Sequence, residues 1–434
     1  MPNHPKITFI GAGSVVFTKN LLGDILSFPE LQGCTISLHD ISAERLETAE
    51  AMARWTANAL GAKPRIEAHL DRRAALDGAD YAVNMVQIGG HKATLLDFDI
   101  PRRYGLRQTI ADSHGVGGIF RALRTIPVLR GIAHDMEQVC PHALMLNYSN
   151  PMSMLCWAWF ASSPVPIVGL CHSVQGTTEQ ISEYAGVPYD EVTYLGAGIN
   201  HVAWILRFEH QGRDAYPLLR QAIAEGRVPA EDSVRAELCQ RLGYFVTESS
   251  EHNAEYSAHF IPHAGEVERL HIPLDEYVRR SEENLGEFAA VRAQLQRGEP
   301  FKIERSAEYA SQIIYAMETG QPCVIYGNVR NDGLITNLPD GCCVELPCLV
   351  DRNGVQPTRM GDLPPQLAGM SRQHVAVQEL TVRAALEGRR EHVYHAAMLD
   401  PLCAASMPLE RIWAMVDELI AAHGEALPEG IHDA

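Results

Sequence analysis

The sequence has little positive charge for its length. Of its 434 residues, 36 are Lys or Arg and 54 are Asp or Glu, which gives a formal net charge of −18. Such an excess of carboxylates repels phosphate backbones and anionic lipid surfaces. The hydrophobic share of 46% and the charged share of 21% are those of an ordinary folded protein. We therefore expect a globular protein with no nucleic acid partner and no association with a membrane.

The sequence also lacks the compact cysteine spacing of a disulfide scaffold. Its ten cysteines are spread over the whole chain. The N-terminal segment resembles a strand rather than a basic, apolar and cleavable signal. Both features favour a reducing compartment, and we expect a cytoplasmic protein.

No internal repeat and no low-complexity linker divides the chain. A single hydrophobic core rarely grows beyond roughly 250–300 residues, so 434 residues predict two lobes. Short apolar runs alternate with amphipathic stretches up to about residue 195, and long, charged, helix-like segments follow. We place an N-terminal domain at 1–195 and a C-terminal domain at 196–434.

Strand-helix alternation in the first domain predicts the fold class α/β. The alternation is typical of a Rossmann-like, doubly wound parallel sheet that helices cover on both faces. The predicted strands lie at 7–10, 35–38, 81–86, 144–146 and 167–170. Helix-like and strand-like segments occur together in the second domain, which predicts a mixed α+β lobe. Its helix candidates lie at 213–225, 233–242, 304–319, 373–386 and 409–423, and its strand candidates at 323–326 and 343–350.

A nicotinamide-type turn follows the first strand, although its usual third glycine is missing. The strand pattern runs directly into Gly11-Ala12-Gly13-Ser14 and an amphipathic helix. The two glycines permit a tight turn and let backbone amides approach a pyrophosphate at the N-terminus of the helix. Val16 stands where the third glycine is usual, so the motif alone also fits an ordinary strand-helix turn. We expect Gly11, Gly13 and Ser14 to bind a dinucleotide.

An acidic residue ends the second strand. Asp40 lies 27 positions (40 − 13) beyond Gly13, close to where a carboxylate binds the adenosine ribose in dinucleotide-binding folds. A carboxylate there repels the additional phosphate of NADP, so NAD is favoured. The alternative is that Asp40 is the N-cap of the helix that starts near Ala43.

Polar side chains follow the fourth and fifth strands. Asn84 and Gln87 lie at the end of the fourth strand, and Asn150 lies just beyond the fifth. Open α/β sheets bind their ligands at the carboxyl ends of parallel strands. We therefore expect Asn84 and Gln87 to contact the cofactor and this edge of the sheet to hold the substrate.

A cysteine and two histidines lie beside this predicted site. The sixth strand leads into Cys171-His172, and His201 follows a glycine-containing connection. A thiolate and an imidazole can bind zinc, manganese or iron, and two protein ligands leave positions open for substrate and water. Each of these residues, taken alone, is more often structural. Tyr256, in a polar stretch, is a candidate base only where a cation lowers its pKa.

Five motifs follow one another along the chain. They are Ile10-Gly11-Ala12-Gly13-Ser14, Asn147-Tyr148-Ser149-Asn150-Pro151, Gly169-Leu170-Cys171-His172-Ser173, Gly198-Ile199-Asn200-His201 and Tyr326-Gly327-Asn328-Val329-Arg330-Asn331. Together they resemble glycoside hydrolase family 4, and especially its α-galactosidase branch. The resemblance runs from about residue 6 to about residue 425. It implies a C-terminal lobe similar to that of lactate and malate dehydrogenases.

The resemblance also implies a glycosidase that depends on NAD and on a divalent metal ion, usually Mn²⁺. In this family NAD takes hydride from carbon 3 of the sugar, a base removes the proton on carbon 2, and the glycosidic oxygen leaves. Water then adds at carbon 1 and the ketone is reduced again. The resemblance further implies a homo-oligomer, a dimer or a tetramer.

The resemblance gives roles to individual residues. Cys171 and His201 match the metal ligands, and Tyr256 matches the proposed base. His172 stands where other branches carry an aspartate as proton donor. Because an imidazole titrates near neutrality, orientation of water or of the leaving group is the alternative role for His172.

Two further matches concern the substrate. Asn150 matches the residue that holds sugar hydroxyls. Asp112, with His114 close by, lies in a glycine-rich loop that resembles the substrate loop of the family. A purely structural turn is the alternative for that loop.

Other functions remain open from the sequence. An α-glucosidase or an α-uronidase of the same family would share the mechanism. A 2-hydroxy acid dehydrogenase is another alternative, because Asn150-Pro151 after the fifth strand also resembles lactate and malate dehydrogenases. A binding protein that senses NAD or sugar without turnover belongs to a third class.

Overall fold

The fold was analysed in a computed structural model, which describes residues 4–432. Its strands are β1 (Lys6–Ile10), β2 (Thr35–His39), β3 (Arg65–His69), β4 (Tyr81–Asn84), β5 (Leu144–Asn147), β6 (Ile167–Leu170), β7 (Val192–Ile199), β8 (Val202–His210), β9 (Arg213–Asp214), β10 (Phe245–Val246), β11 (Cys323–Arg330), β12 (Cys343–Asp351) and β13 (Gly354–Pro357).

The helices are α1 (Val15–Leu26), α2 (Ala43–Leu60), α3 (Arg72–Leu76), α4 (Gly90–Arg103), α5 (Gly115–Val139), α6 (Met152–Ser162), α7 (Ser173–Ala185), α8 (Tyr216–Ala224), α9 (Ser233–Leu242), α10 (Ser250–Glu255), α11 (Glu266–Arg269), α12 (Glu276–Gln296), α13 (Ala310–Thr319), α14 (Pro365–Glu387), α15 (Glu391–Leu399), α16 (Pro401–Ser406) and α17 (Leu409–His423).

The N-terminal half of the sheet is parallel and doubly wound. Its strands follow the order β3-β2-β1-β4-β5-β6, and each neighbouring pair is parallel. This is the strand order of the dinucleotide-binding Rossmann fold, in which the switch point lies beside β1. The predicted α/β class and Rossmann-like domain are therefore confirmed.

The C-terminal strands extend the same sheet in antiparallel fashion. β11 pairs with β6, and the order continues through β12, β7, β8 and β10. One continuous cluster of buried apolar side chains also runs through both halves. The predicted boundary between residues 195 and 196 falls inside β7, at a shift of register between Leu195 and Gly196. The division into 1–195 and 196–434 stays a prediction.

Local sequence explains where the first helices begin and end. Gly11, with a φ of 84°, makes the turn between β1 and α1, a backbone conformation that favours glycine. Ser42 is the N-cap of α2, where its side chain accepts a hydrogen bond from the amide of Arg45, and Gly61 ends that helix in the left-handed region. The alternative role of Asp40 as the N-cap is wrong, because Ser42 fills it.

Several C-terminal elements differ from the predicted ones. α9 and α17 have the predicted bounds, but α13 begins only at Ala310 and the segment 304–309 before it is not helical. The hairpin of β7 and β8 and the long helix α12 were not predicted. The polar stretch before Tyr256 forms the short helix α10. Within residues 4–432, the helices are too short or too polar to cross a membrane.

Candidate active site

The glycine turn after β1 is built to receive a dinucleotide. A Cβ atom on Gly13 would lie 2.4 Å from Oδ2 of Asp40, so a larger residue does not fit there. Ser14 is exposed, and its side chain caps none of the first-turn amides of α1. Those amides are therefore available to an anionic group such as a pyrophosphate.

Asp40 closes the turn from the side of β2. Its Oδ2 accepts a hydrogen bond from the Gly13 amide at 2.8 Å, and its Oδ1 accepts one from the Ser42 amide at 2.9 Å. Arg45 lies on the other side and donates to the Gly13 carbonyl at 3.0 Å. The carboxylate predicted for the ribose thus also holds the glycine turn in place.

The two residues predicted after β4 differ in exposure. Asn84 is completely buried, and its amide donates to Asn147 at 2.8 Å and to Ser149 at 3.2 Å. Gln87 is exposed at the edge of the sheet. The structure therefore leaves Gln87 open to a ligand, whereas Asn84 ties together the ends of β4 and β5.

Helix α12, from the C-terminal half, runs past the N-terminal ends of two helices of the parallel sheet. Oγ of Ser281 lies 3.0 Å from Nδ1 of His91 at the start of α4. Phe288 packs under the guanidinium of Arg45 in α2, 4.3 Å from its ring centroid. α4 and α2 follow the strands on either side of β1, so α12 lies alongside the dinucleotide turn.

A cysteine, a histidine and a glutamate form a cluster next to this edge. The ligand atoms of Cys171, His201 and Glu248 all lie within 4.8 Å of one another. Cys171 follows β6, His201 lies in the two-residue turn between β7 and β8, and Glu248 follows β10. Thiolate, imidazole and carboxylate are a suitable donor set for a transition metal ion. The two residues predicted as metal ligands thus meet, together with a third that was not predicted.

Two buried polar residues of the hairpin β11-β12 lie in the part of the sheet next to the cluster. Asn328 pairs with Gly169 of β6 and with Glu345 of β12, and Glu345 pairs with Gly198 of β7. Cys171 follows β6 directly, and burial, followed by the charge of the nearby Glu345 carboxylate, raises the pKa of the Cys171 thiol. Glu345 is fully buried, and its Oε1 accepts a hydrogen bond from Asn328 at 3.1 Å.

Strained backbone conformations occur in and beside the cluster. Ala111, His201 and Glu248 adopt φ angles of 50°, 63° and 73°, a left-handed region that residues with a Cβ atom adopt only at a cost of about 1–2 kcal/mol. Such conformations persist where surrounding contacts fix them, and they collect at functional sites. The Arg235 side chain, which is buried, donates to the main-chain carbonyl of Glu248 and His114 contacts the carbonyl of Asn200 at 3.1 Å.

The charges of the cluster are those of a cation site. Burial lowers the pKa of His201, which favours the neutral imidazole that binds metals. Burial alone would raise the pKa of Glu248, but the positive charge that His201 and His252 carry when protonated, with those of other nearby cationic groups, brings it to about 2. Burial raises the pKa of Cys171, so its thiol needs a cation nearby before it ionises.

The predicted base lies against the cluster. The hydroxyl of Tyr256 is 3.4 Å from Nδ1 of His201. Its ring is surrounded by imidazoles, with the centroids of His114, His252 and His374 at 4.4, 5.8 and 5.9 Å. Burial, followed by the nearby carboxylates, raises the pKa of Tyr256. The protein atoms alone therefore keep Tyr256 protonated.

His172, the predicted proton donor, lies at the exposed side of the cluster. Its Nδ1 is 3.3 Å from Oε1 of Glu308, and its side chain is 62% exposed. The hydrogen bond to Glu308 raises the pKa of His172. The contact with Glu308 thus favours the protonated imidazole in a side chain that is largely exposed.

The residues predicted to contact the substrate lie on the other side of Tyr256. Asn150 donates to Oδ2 of Asp112 at 3.2 Å, and Ser113 donates to Oδ1 of the same carboxylate at 2.8 Å. His252 lies 3.9 Å from Oδ1 of Asp112. The ligand atoms of Asp112, His201 and His252 form a second group within 4.8 Å of one another. The substrate residues and the metal cluster are therefore contiguous.

The sequence reasoning missed Glu248, Glu308 and Glu345. Glu248 follows the short apolar strand β10 and begins the polar stretch that contains Tyr256, so its position at a strand end was a usable signal. Glu345 lies inside the apolar run of β12, and a carboxylate inside a buried strand is also a signal. Glu308 lies in a non-helical segment before α13, and no pattern in the sequence marks it.

Comparison with known proteins identifies the family. Residues 6–187 match the family model described as Family 4 glycosyl hydrolase, and residues 196–403 match the Family 4 glycosyl hydrolase C-terminal domain. The chain therefore belongs to glycoside hydrolase family 4. An α-galactosidase of Bacillus subtilis (strain 168) is 46% identical over 98% of this chain and 99% of its own length. An α-galactosidase of Rhizobium meliloti (strain 1021) is 36% identical over 98% of this chain and 90% of its own.

Solved structures agree with this fold. A 6-phospho-α-glucosidase from gut microorganisms, crystallised in complex with NAD and Mn²⁺, superposes with a TM-score of 0.83 at 21% identity over 98% of this chain and 100% of its own. A lactate dehydrogenase from Cryptosporidium parvum superposes with a TM-score of 0.56 at 14% identity over 89% of this chain and 99% of its own. The predicted likeness to the dehydrogenase fold is confirmed.

Proposed function

We propose that this protein is an α-galactosidase that requires NAD and a divalent metal ion, with Mn²⁺ as the first candidate. The observation that carries the proposal is the cluster of Cys171, His201 and Glu248, whose ligand atoms lie within 4.8 Å of one another at the edge of the sheet that carries the glycine turn. The choice of a galactoside is supported by the α-galactosidase that is 46% identical to this chain.

Cys171, His201 and Glu248 would hold the metal ion. The buried neutral imidazole, the ionised carboxylate and a thiol that ionises beside a cation form a site with both soft and hard donors. When bound, the ion would polarise an oxygen of the sugar and make the neighbouring carbon-bound proton more acidic. Glu248 is held in a strained conformation that presents its carboxylate to this site.

Gly11, Gly13 and Ser14 would bind the pyrophosphate, and Asp40 the adenosine ribose. Gln87, exposed after β4, would contact the nicotinamide half. When bound, NAD would accept hydride from the sugar and return it later in the cycle. Asn84 would support this edge through Asn147 and Ser149 rather than contact the cofactor.

Tyr256 and His172 would move the protons. Nε2 of His201 lies 3.6 Å from Oε2 of Glu248, and this nitrogen would bind the metal ion that the two residues share. The ring proton would then lie on Nδ1, beside the hydroxyl of Tyr256. A hydrogen bond from Nδ1 stabilises the phenolate form, which is the form that accepts a proton from the sugar. His172, kept protonated by Glu308, would donate a proton from Nε2 to the departing oxygen.

Asp112 and Asn150 would hold the sugar hydroxyls. Asp112 lies in the substrate loop and Asn150 follows β5, and their mutual hydrogen bond brings a carboxylate and an amide together. These groups recognise hydroxyls of galactosides, glucosides and uronides alike. An assay is therefore needed to determine which sugar the protein cleaves. The alternatives are an α-glucosidase or an α-uronidase of the same family.

One experiment tests the proposal directly. The protein is assayed with nitrophenyl α-galactoside, α-glucoside and α-galacturonide in the presence of Mn²⁺, NAD and a thiol, and again after chelation and removal of NAD. We expect hydrolysis of the galactoside, loss of activity without metal or NAD, and solvent deuterium at carbon 2 of the product. Hydrolysis that persists without either cofactor contradicts the mechanism. Net formation of NADH indicates a dehydrogenase, and binding without any turnover indicates a sensing protein.

We also propose that the protein is cytoplasmic and forms a dimer or a tetramer. All ten cysteines are free thiols, which supports a reducing compartment. Light scattering of the purified protein measures the oligomeric state.

A further inference from the structure

Two arginines lie one turn apart on α5, and they differ in their hydrogen-bond partners. Arg124 is buried and forms a bidentate ion pair with Asp97, with distances of 3.1 and 2.6 Å. Asp97 also contacts His423 at 3.0 Å. Arg121 is likewise buried, with 8% of its surface exposed. Across residues 4–432, however, Arg121 has no carboxylate within 4.0 Å.

The partner of Arg121 is a neutral hydroxyl. Its Nη1 donates to the hydroxyl of Tyr277 at 2.9 Å, and its guanidinium lies 5.2 Å from the centroid of that ring. In the described part of the chain, Nε and Nη2 have no partner, and neither is an enclosed atom. Burial of a guanidinium without an ion pair costs stability. The unpaired Nε and Nη2 of Arg121 therefore indicate a partner that residues 4–432 of the protein do not supply.

The helix directs this donor edge towards the substrate loop. A Cβ atom on Gly117 or Gly118 would touch Ala111 or Ser113 at 2.5 and 2.8 Å, so this face of α5 packs on the loop. Arg121 is four positions after Gly117 and three after Gly118, and therefore lies on the same face. Because helical side chains tilt towards the N-terminus, Arg121 extends towards that loop. Burial lowers the pKa of Arg121, but Tyr277 and the carboxylates of Asp112 and Asp97 together raise it above its ordinary value.

We propose that Arg121 is a substrate-binding and specificity-determining residue, whose Nε–H and Nη2–H donate to an oxygen of the glycoside held by Asp112. This inference rests on the proposed function for the identity of the substrate. A guanidinium has donors only, so its partner on the sugar is an acceptor oxygen of a hydroxyl or a carboxylate. Asp112, a carboxylate, accepts from hydroxyls, and the two residues together select the substituents on one side of the ring.

Binding measurements separate this role from a structural one. D-galactose is titrated calorimetrically into the protein with NAD and Mn²⁺. We expect Arg121→Gln and Arg121→Lys to weaken binding about 10- to 100-fold, the range of a hydrogen bond to a charged group. Arg130→Gln, an exposed arginine on the same helix, is the control. Mn²⁺ binding and the thermal unfolding midpoint of each variant are measured alongside. If Arg121→Gln does not fold, the galactose affinity of Arg121→Lys decides the question.

Tyr277→Phe distinguishes a substrate-binding role of Arg121 from a purely structural one. This variant removes the hydroxyl that Arg121 contacts and leaves the guanidinium in place. We expect galactose affinity within about threefold of the unmodified protein, because the lost hydrogen bond is not one to the sugar. If Arg121 only braces α12, Tyr277→Phe weakens binding as much as Arg121→Gln does, which overturns the proposal. Unchanged binding by both Arg121 variants also overturns it.

Glucose and galacturonate are titrated in parallel with galactose. If the protein binds one of these instead of galactose, the galactosidase proposal fails while the role of Arg121 is still tested on the sugar that binds. Loss of that affinity in the Arg121 variants supports the role. A protein that binds none of the three sugars overturns both proposals.

Discussion

Cys171 and His201 meet although two strands separate the elements that carry them. Cys171 follows β6 and His201 follows β7, and β11 and β12 lie between these strands in the sheet. Their ligand atoms nevertheless lie within 4.8 Å of each other. The hairpin of β11 and β12 occupies this part of the sheet and carries the buried polar residues Asn328 and Glu345. A distant part of the chain thus supplies polar groups next to the cluster.

Replacement of the thiol should remove most of the metal affinity. We expect Cys171→Ser to weaken Mn²⁺ binding at least about 100-fold. Loss of a hydrogen-bond partner of a metal ligand already lowers metal affinity about 10- to 100-fold, and loss of the ligand itself should lower it further. Electron paramagnetic resonance of free Mn²⁺ gives the affinity. Cys323→Ser is the matched control, since Cys323 is a partly buried cysteine at the start of β11, and equal effects of the two variants would contradict the assignment.

The third ligand is tested by Glu248→Gln. This change keeps the shape of the side chain and removes its charge, so we expect Mn²⁺ affinity to fall at least about 10-fold with the fold retained. Calorimetric titration of the apoprotein measures it. Glu225→Gln, at an exposed position, should leave the affinity unchanged. Unaltered affinity in Glu248→Gln would restrict the ligands to Cys171 and His201.

Loss of the phenol should affect proton transfer and not metal binding. We expect Tyr256→Phe to lower kcat roughly 100- to 10,000-fold, the range of general base catalysis, and to abolish solvent deuterium exchange at carbon 2. Mn²⁺ affinity should stay within a few fold. Tyr244→Phe, at a tyrosine that packs on Tyr216 with ring centroids 6.1 Å apart, is the control. Deuterium exchange that persists in Tyr256→Phe assigns the base to another residue.

The pH profile reports on the pair of His172 and Glu308. Glu308 raises the pKa of His172, so the protonated donor persists to higher pH. Glu308→Gln removes this effect, and we expect the alkaline limb of kcat/KM to move to lower pH. The acidic limb should stay in place. A profile that does not move shows that the departing oxygen receives its proton from elsewhere.

Glu345 makes the stability of the apoprotein depend on pH. Burial raises its pKa to about 8, above the ordinary carboxyl value that holds in the unfolded chain. The folded protein therefore binds the proton more tightly, and its free energy of unfolding falls as the pH rises from the ordinary carboxyl range to about 8, by at most about 1.4 kcal/mol per pH unit.

Urea unfolding at pH 6 and pH 9, with a chelator present, measures this effect. Glu345→Gln has no proton to lose, so we expect a smaller difference between the two pH values than in the unmodified protein. Glu179→Gln, at an exposed position on α7, should preserve the full difference. An equal difference in all three proteins would show that Glu345 is not the titrating group.

The elements that depend on local pattern were predictable from the sequence. The alternation of apolar runs and amphipathic stretches predicted the parallel strands and the Rossmann-like domain, because strand and helix periodicities are written in neighbouring residues. The glycine turn and Asp40 were predictable for the same reason, since Gly11 and Asp40 directly follow β1 and β2. The bounds of α17 were correct because it has a clear amphipathic pattern, and the end of α9 was correct because Gly243 ends that helix in the left-handed region.

The sequence by itself determined the α/β class, the glycine turn and the residue types Cys171, His201 and Tyr256. Only the tertiary structure showed that Glu248 completes the cluster, that Glu308 contacts His172 and that Arg121 has no carboxylate partner among residues 4–432. These facts depend on residues far apart in the chain that a single sheet and α12 bring together. Burial and charge pairing are properties of that arrangement, and one sequence does not encode them as a local pattern.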